Sequence, residues 1–132
     1  TQVEQLAAFV VRMTYENLSE EARQQLKIRM LDALGCAIGA IEGPPIKMLR
    51  TQLEDFGGKP LVTLIGGFYN SALVRYLDYN DSYLAKKETC HPSDNFGAVL
   101  AASEYARRTG KELLTALAIA YQVQCRLSDV AP

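Results

Sequence analysis

The bulk properties of the sequence describe an ordinary globular chain and exclude several classes of partner. The 132 residues are about the length of one domain, and hydrophobic residues make up 48% and charged residues 22% of them, unlike the composition of disordered proteins. The 14 Lys and Arg residues nearly balance the 15 Asp and Glu residues, which leaves a formal net charge of -1. So weak a charge would not gather nucleic acid or an anionic membrane surface, so neither is expected as a partner.

No segment predicts export or membrane insertion. The longest apolar run, residues 33–41, falls well short of the roughly 20 residues that cross a bilayer, and no charged-then-apolar leader opens the chain, so a cytoplasmic location is expected. The cysteines are odd in number and form no C-x-x-C pair, which indicates neither a disulfide framework nor a structural zinc site. Cys36 and Cys125 are expected to be buried thiols.

Hydrophobic spacing predicts three helices in the first half of the chain. Apolar residues at i, i+3, i+4 and i+7 predict a first helix that ends near Tyr15. Ser19 is suited to cap a long second helix because two glutamates follow it, and the apolar stretch further on makes this helix the central element. Residues 42–45 (EGPP) stop it, and a third helix is predicted over residues 45 to about 56.

The second half predicts one short strand and three more helices. Residues 61–65 are apolar with a valine and a threonine and are followed by Gly66-Gly67, so they predict a strand. Helices are predicted over residues 68–83, from 92 to about 108, and after the break at Thr109-Gly110. The expected fold is therefore all-α, a single helical domain over residues 1–132, bundle-like with about six helices and at most one short strand.

Two short segments concentrate the polar groups that could carry chemistry. In residues 77–83 (LDYNDSY), Asp78, Asp81 and Ser82 stand at i, i+3 and i+4 and would share one face if the segment were helical. Nine residues after Ser82 comes His91, the only histidine, which begins residues 91–95 (HPSDN). Proline restricts His91 to an extended backbone and three capping residues follow, so the imidazole should project beside a helix N-terminus, which attracts carboxylates.

Structural roles explain the same residues on pattern alone. Two aspartates and a serine at a helix end can form a solvated cap, and a lone histidine beside capping residues is more often structural than catalytic. Cys90-His91 has no second Cys/His pair with which to complete a four-ligand metal site. The lysines of the intervening loop favour solubility or an anionic substrate, while Arg75 and Arg126 are expected to be ion-paired with buried stems.

Taken together, the sequence resembles the MmgE/PrpD family over nearly its whole length. The resemblance is carried by residues 31–35 (LDALG), 72–82 (ALVRYLDYNDS) and 91–95 (HPSDN), with support from 110–114 (GKELL) and from the pairs Ala120-Tyr121 and Arg126-Leu127. It implies an all-helical large domain, of which this chain is the N-terminal portion, joined to a smaller α+β domain that is absent here. It also implies a homodimer.

The implied reaction is that of a hydro-lyase of the 2-methylcitrate dehydratase type. Water is eliminated from a tricarboxylate to give 2-methyl-cis-aconitate, with no cofactor, metal or iron–sulfur centre. The family's catalytic positions map to Asp78, Ser82 and His91. Three neighbouring polar residues are expected to contact the substrate: Asp81, Ser93 and Asn95.

The resemblance also suggests a role for each catalytic residue. His91 would exchange a proton with the substrate or leaving group, since its unperturbed pKa of about 6.5 suits both directions near neutrality. Asp78 would orient His91 or act as the partner base. Ser82 would donate a hydrogen bond to a substrate carboxylate.

Other functions stay open at this point. The same scaffold could support a cis-aconitate decarboxylase or a polycarboxylate isomerase, and the chain could also be a non-catalytic helical assembly module. Family members are much longer and place further active-site residues elsewhere, so this chain alone is expected to be inactive.

The sequence departs from the family pattern after Gly66-Gly67, which is followed directly by Phe68 where members carry a polar loop. Either this protein lacks the loop or the sequence omits it, and omission is favoured. The same cause would explain the end at Pro132.

Overall fold

The computed structural model describes residues 1–55, 64–86 and 88–130, and most of them are helical. The six α-helices of this part are α1 (Gln2–Arg12), α2 (Glu20–Ala40), α3 (Pro44–Asp55), α4 (Leu64–Arg75), α5 (Phe96–Tyr105) and α6 (Gly110–Val130). Two 3₁₀ helices, Tyr15–Asn17 and Pro92–Asn95, and two short strands complete the described elements. The predicted all-helical class is confirmed.

The ends of the first two helices follow local capping chemistry. The Ser19 hydroxyl accepts a hydrogen bond from the Ala22 amide at 3.1 Å, so Ser19 caps α2 as predicted. Helix α1 ends at Arg12 rather than near Tyr15, because the Met13 backbone is extended and Tyr15 begins a separate 3₁₀ turn. The early end corrects the sequence prediction by about one turn.

Helix α4 differs from its prediction at both ends. The predicted strand covered residues 61–65, of which 61–63 lie outside the described residues, while Leu64 and Ile65 belong to α4. The predicted helix over residues 68–83 ends at Arg75, so the residues of the LDYNDSY segment do not share a helical face. Asp78 has a φ of 55°, and the Asp78 amide donates to the Arg75 carbonyl at 3.1 Å, which turns the chain off the helix axis.

A small antiparallel hairpin follows this turn. Strands β1 (Tyr83–Leu84) and β2 (Thr89–Cys90) pair Tyr83 with Cys90, and the Ala85 amide donates to the Glu88 carbonyl at 2.9 Å. The expectation of at most one strand was therefore wrong within the described residues. Strands of two residues are too short to show the alternating pattern by which strands are predicted from sequence.

Four of the helices pack around an apolar core. It is built from α2, α4, α5 and α6 and from the segment before α2, and its buried residues are Leu18, Leu26, Ala33, Val74, Phe96, Leu114 and Leu117. Helices α4 and α5 cross closely, since a side chain at Gly97 would overlap the backbone of Ser71. This crossing fixes the C-terminal end of α4 against the start of α5. None of the described helices has the length and apolar character to span a membrane.

The three cysteines are free thiols. Cys36 is buried as predicted, whereas Cys125 is only half-buried and lies beside Cys90. Burial raises the pKa of the Cys125 thiol to about 11, with a further contribution from the neighbouring Cys90. Burial also raises the pKa of the Cys36 thiol, so Cys36 and Cys125 are both protonated at neutral pH.

Candidate active site

The two polar segments meet where α4 ends and the chain enters α5. Asp78 stands at the turn after α4 with its side chain 72% exposed, and its Oδ1 atom lies 2.6 Å from Nη2 of Arg75. Its left-handed backbone is uncommon for a residue other than glycine, although aspartate tolerates it better than most. The ion pair therefore fixes a carboxylate that otherwise faces solvent.

Arg75 extends this contact to the second segment. Its Nε atom lies 2.8 Å from Oδ1 of Asp94, and its Nη1 atom donates to the side-chain oxygen of Asn80 at 3.3 Å. Asn80 in turn donates to the Asp32 carboxylate on α2 at 3.3 Å. One guanidinium thus links the LDYNDSY segment, the HPSDN segment and the central helix.

His91 is held by the backbone of the first segment. Its Nδ1 atom lies 2.7 Å from the carbonyl oxygen of Asp81 and 3.5 Å from the hydroxyl oxygen of Ser82. A carbonyl oxygen can only accept a hydrogen bond, so Nδ1 carries the hydrogen of the neutral imidazole. The Nε2 atom then has an unprotonated lone pair and can accept a proton from a ligand.

Asp81 caps the turn that contains His91. Its carboxylate accepts a hydrogen bond from the Ser93 amide at 3.1 Å, and it also bonds the hydroxyl of Tyr121 on α6. Burial, the Asp81 charge and this hydrogen bond together raise the pKa of Tyr121 far above its usual range. The sequence predicted that residues 93–95 would cap this turn themselves. The capping carboxylate is instead that of Asp81, twelve residues before Ser93.

Ser93 and Asn95 differ in how fully their polar groups are satisfied. Ser93 is 2% exposed, and its hydroxyl oxygen has no hydrogen-bond partner among the described residues. The Asn95 amide nitrogen donates to the Pro92 carbonyl at 3.0 Å and to the side-chain oxygen of Gln124 on α6, which uses both of its hydrogens. Among the described residues no hydrogen bond is made by the side-chain oxygen of Asn95, and Asn95 lines a cavity of about 590 Å³ between β2 and α6.

The predicted site residues therefore meet in part. Ser82 and His91 are in direct contact, and Asp81 holds both His91 and the following turn. Among the described contacts, Asp78 reaches the histidine segment only through Arg75 and Asp94. The role of Asp78 as the partner that orients His91 is thus filled by the Asp81 backbone in this structure.

Sequence reasoning missed the contributions of Arg75 and Tyr121 to the site. Arg75 stands three residues before Asp78, a spacing that permits an ion pair, but nothing local pointed to its second partner at Asp94. Tyr121 lies forty residues from Asp81 and gave no local signal at all. In the described part of the chain, no three His, Cys, Asp or Glu side chains form a group suited to a metal ion.

Comparison with known proteins identifies the family. Residues 4–132 match the model of the MmgE/PrpD N-terminal domain. The chain belongs to the MmgE/PrpD family. No solved structure matches the chain.

The named relatives are dehydratases. The chain is 32% identical to 2-methylcitrate dehydratase of Escherichia coli K12, over 85% of this chain and 27% of that protein. It is also 32% identical to a 2-methylcitrate dehydratase-like protein of Aspergillus oryzae, over 83% of this chain and 27% of the relative. An alkylcitrate dehydratase of a fungal species is 32% identical over 76% of this chain and 25% of its own length. The chain thus spans about a quarter of these relatives.

Proposed function

We propose that this chain supplies part of the active site of a hydro-lyase that removes water from 2-methylcitrate or a closely similar tricarboxylate. The observation that carries the proposal is the 2.7 Å contact between His91 Nδ1 and the Asp81 carbonyl oxygen, because it leaves Nε2 as a proton acceptor. The dehydratase names of the relatives supply the reaction class and the substrate class.

In the proposed reaction His91 takes the carbon-bound proton. The C–H bond next to a substrate carboxylate breaks, the proton moves to Nε2, and the electron pair forms the new double bond as the C–O bond to the hydroxyl breaks. The departing hydroxyl takes a proton from the protonated Asp78 carboxyl group, which completes the water molecule, and Asp78 regains a proton from solvent after turnover. A histidine suits this step, because its pKa lies near neutrality and it can release the proton after each turnover.

Ser82 and Asp78 take complementary roles in this proposal. Since His91 already donates its Nδ1 hydrogen to the Asp81 carbonyl, the Ser82 hydroxyl hydrogen is free to bond a substrate carboxylate. Asp78 is the more exposed of the two carboxyl groups that pair with Arg75, and in this proposal it is the partner in the second proton transfer. The Ser93 hydroxyl and the side-chain oxygen of Asn95, which have no hydrogen-bond partner in the part of the chain that the structure describes, are further groups that would bind the substrate.

Replacing His91 by Asn tests the proton-transfer role in the full-length protein. The Asn amide nitrogen can still donate to the Asp81 carbonyl, but the proton acceptor at Nε2 is lost. Turnover of 2-methylcitrate, followed by the ultraviolet absorbance of the unsaturated product, should fall by roughly 10²-fold or more. Unchanged turnover in a folded His91→Asn protein would reject the role.

The same assay separates dehydration from decarboxylation. Incubating the full-length protein with 2-methylcitrate and with cis-aconitate should give an unsaturated tricarboxylate from the first and no carbon dioxide from the second. Carbon dioxide release from cis-aconitate would instead assign the decarboxylase reaction to the scaffold. A product that only moves the hydroxyl group would assign an isomerase.

A homodimer and a cytoplasmic location form part of the same proposal. Supporting the assembly, α2 has exposed apolar side chains at Ile28, Leu31 and Ile38, which a second copy of the protein could cover in the dimer. Light scattering of the full-length protein should give twice the mass of one chain. A monomer mass across the working concentration range would remove this part of the proposal.

A further inference from the structure

Arg75 is bonded through three of its side-chain nitrogens to three different residues. Its side chain is only 20% exposed, although it is the last residue of α4. Nη2 bonds Asp78, Nη1 bonds Asn80, and Nε bonds Asp94. The planar guanidinium spreads its donors over three nitrogens in fixed directions, whereas the three donors of a lysine rotate about a single nitrogen.

These acceptors lie next to the groups that hold His91. Asn80 directly precedes Asp81, whose carbonyl oxygen accepts from His91 Nδ1. Asp94 belongs to the turn that His91 begins, and its amide donates to the His91 carbonyl at 3.0 Å. Arg75 therefore bonds to Asn80, next to Asp81, and to Asp94, in the turn after His91. These two contacts hold the chain on either side of the hydrogen bond between His91 and Asp81.

The hairpin that connects the two segments along the chain is a weak link. The hairpin that joins them has two strands of two residues each, and pairing of this length adds little stability in water. Asp78 and Asp94 also carry like charges on either side of Arg75, and without the guanidinium they would repel each other. The ion pairs of Arg75 thus add to the hydrogen bond between the Asp81 carboxylate and the Ser93 amide in holding the two segments together.

We propose that Arg75 is a positioning residue that holds the LDYNDSY and HPSDN segments in the register at which His91 donates from Nδ1 and presents Nε2 to the substrate. This inference rests on the proposed function. Arg75 itself does not touch the substrate in this proposal, since three of its five N–H donors bond protein acceptors and its side chain is only 20% exposed.

The first test is Arg75→Lys in the full-length protein. The substitution keeps the positive charge but loses the fixed fork, so kcat with 2-methylcitrate should fall by roughly 10-fold or more while KM changes little. Arg126→Lys is the matched control, because Arg126 makes a single ion pair with Asp129 at 3.0 Å. Equal kcat values for Arg75→Lys, Arg126→Lys and the unaltered protein would overturn the proposal.

A double-mutant cycle checks that Arg75 acts through Asp94. Asp94→Asn alone should lower kcat in the same direction, and adding it to Arg75→Lys should cause little further loss, because the pair acts as one unit. Fully additive losses would mean that the two residues act separately and would overturn the proposal. Thermal unfolding of each variant identifies any loss that arises from unfolding.

The imidazole itself provides a readout that does not depend on turnover. The ¹⁵N signals of His91, assigned by their loss in His91→Asn, should show the Nδ1-protonated neutral form in the unaltered protein at alkaline pH. In Arg75→Lys they should move toward the average of both neutral forms. Unchanged turnover in His91→Asn would reject the proposed function. An imidazole signal in Arg75→Lys that equals that of the unaltered protein would overturn the positioning role of Arg75.

Discussion

Asp78 has a left-handed backbone conformation and an exposed carboxylate, and neither feature contributes much to the stability of the fold. Its φ of 55° is a conformation that aspartate and asparagine tolerate and β-branched residues do not. Its ion pair with Arg75 is largely exposed on the Asp78 side, so the pair is worth at most about 1 kcal/mol. A residue kept in such a position for stability alone would be easy to replace.

Replacing Asp78 by Asn should therefore separate function from stability. Asparagine fits the left-handed turn, so we expect the free energy of unfolding to change by less than about 1 kcal/mol. Turnover of 2-methylcitrate by the full-length protein should fall by roughly 10²-fold if Asp78 is a proton-transfer partner.

Glu42→Gln is the control for this prediction. It removes another exposed ion pair of the same length, 2.6 Å to Lys47, at a place that the site does not use. Its stability should resemble that of Asp78→Asn and its turnover should equal that of the unaltered protein. Full turnover in Asp78→Asn would show that the carboxylate is only a structural cap.

At the scale of elements, the crossing of α4 and α5 positions the candidate site. The two segments of the site lie directly after α4 and directly before α5, so their separation depends on how closely these helices approach. The approach is possible because Gly97 has no side chain where the backbone of Ser71 passes. A larger residue would push the two helices apart at the end where the site lies.

Replacing Gly97 by Ala should destabilise the protein by about 1–3 kcal/mol, because the new methyl group overlaps backbone atoms that cannot rotate away. Gly35→Ala is the matched control, since a side chain at Gly35 would meet no atom within 4 Å. It should be neutral or stabilise α2 by up to about 1 kcal/mol. Denaturant unfolding of both variants measures the difference, and equal stabilities would contradict this account of the crossing.

The elements themselves were predicted with uneven success. Caps and prolines act within a few residues, so Ser19 and the stop at residues 42–45 were placed correctly. The end of α4 was placed eight residues too late, because apolar spacing continues past Arg75 while the side chains beyond it bond to Arg75 and to α2. Distant partners of this kind leave no trace in local spacing.

At the scale of the whole molecule, the hydroxyl of the half-buried Tyr121 connects the site to stability at high pH. Tyr121 on α6 bonds Asp81, and its pKa is raised chiefly by burial and then by the Asp81 charge. A raised pKa in the folded protein means that folding favours the neutral phenol. Its stabilising contribution is complete below the unfolded-state pKa of about 10 and is lost as the pH rises above that value.

The free energy of unfolding should therefore fall as the pH rises from about 9 to about 11, and part of this fall should disappear in Tyr121→Phe. Tyr105→Phe, at an exposed tyrosine, is the control and should keep the full slope. Denaturant unfolding across this range measures the slopes. A slope in Tyr121→Phe equal to that of the unaltered protein would show that the phenol is not the group concerned.

The sequence by itself determined the helical class, the capped start of α2, the family and the two segments that hold the candidate residues. These features depend on spacing, capping and motifs that operate over a few neighbouring residues. Only the tertiary structure decided that Asp81 rather than Asp78 holds His91, and that Arg75 joins Asp78 to Asp94. Those contacts depend on the angle at which the chain leaves α4 and on the crossing of α4 with α5, and such geometry is set by packing across the whole core.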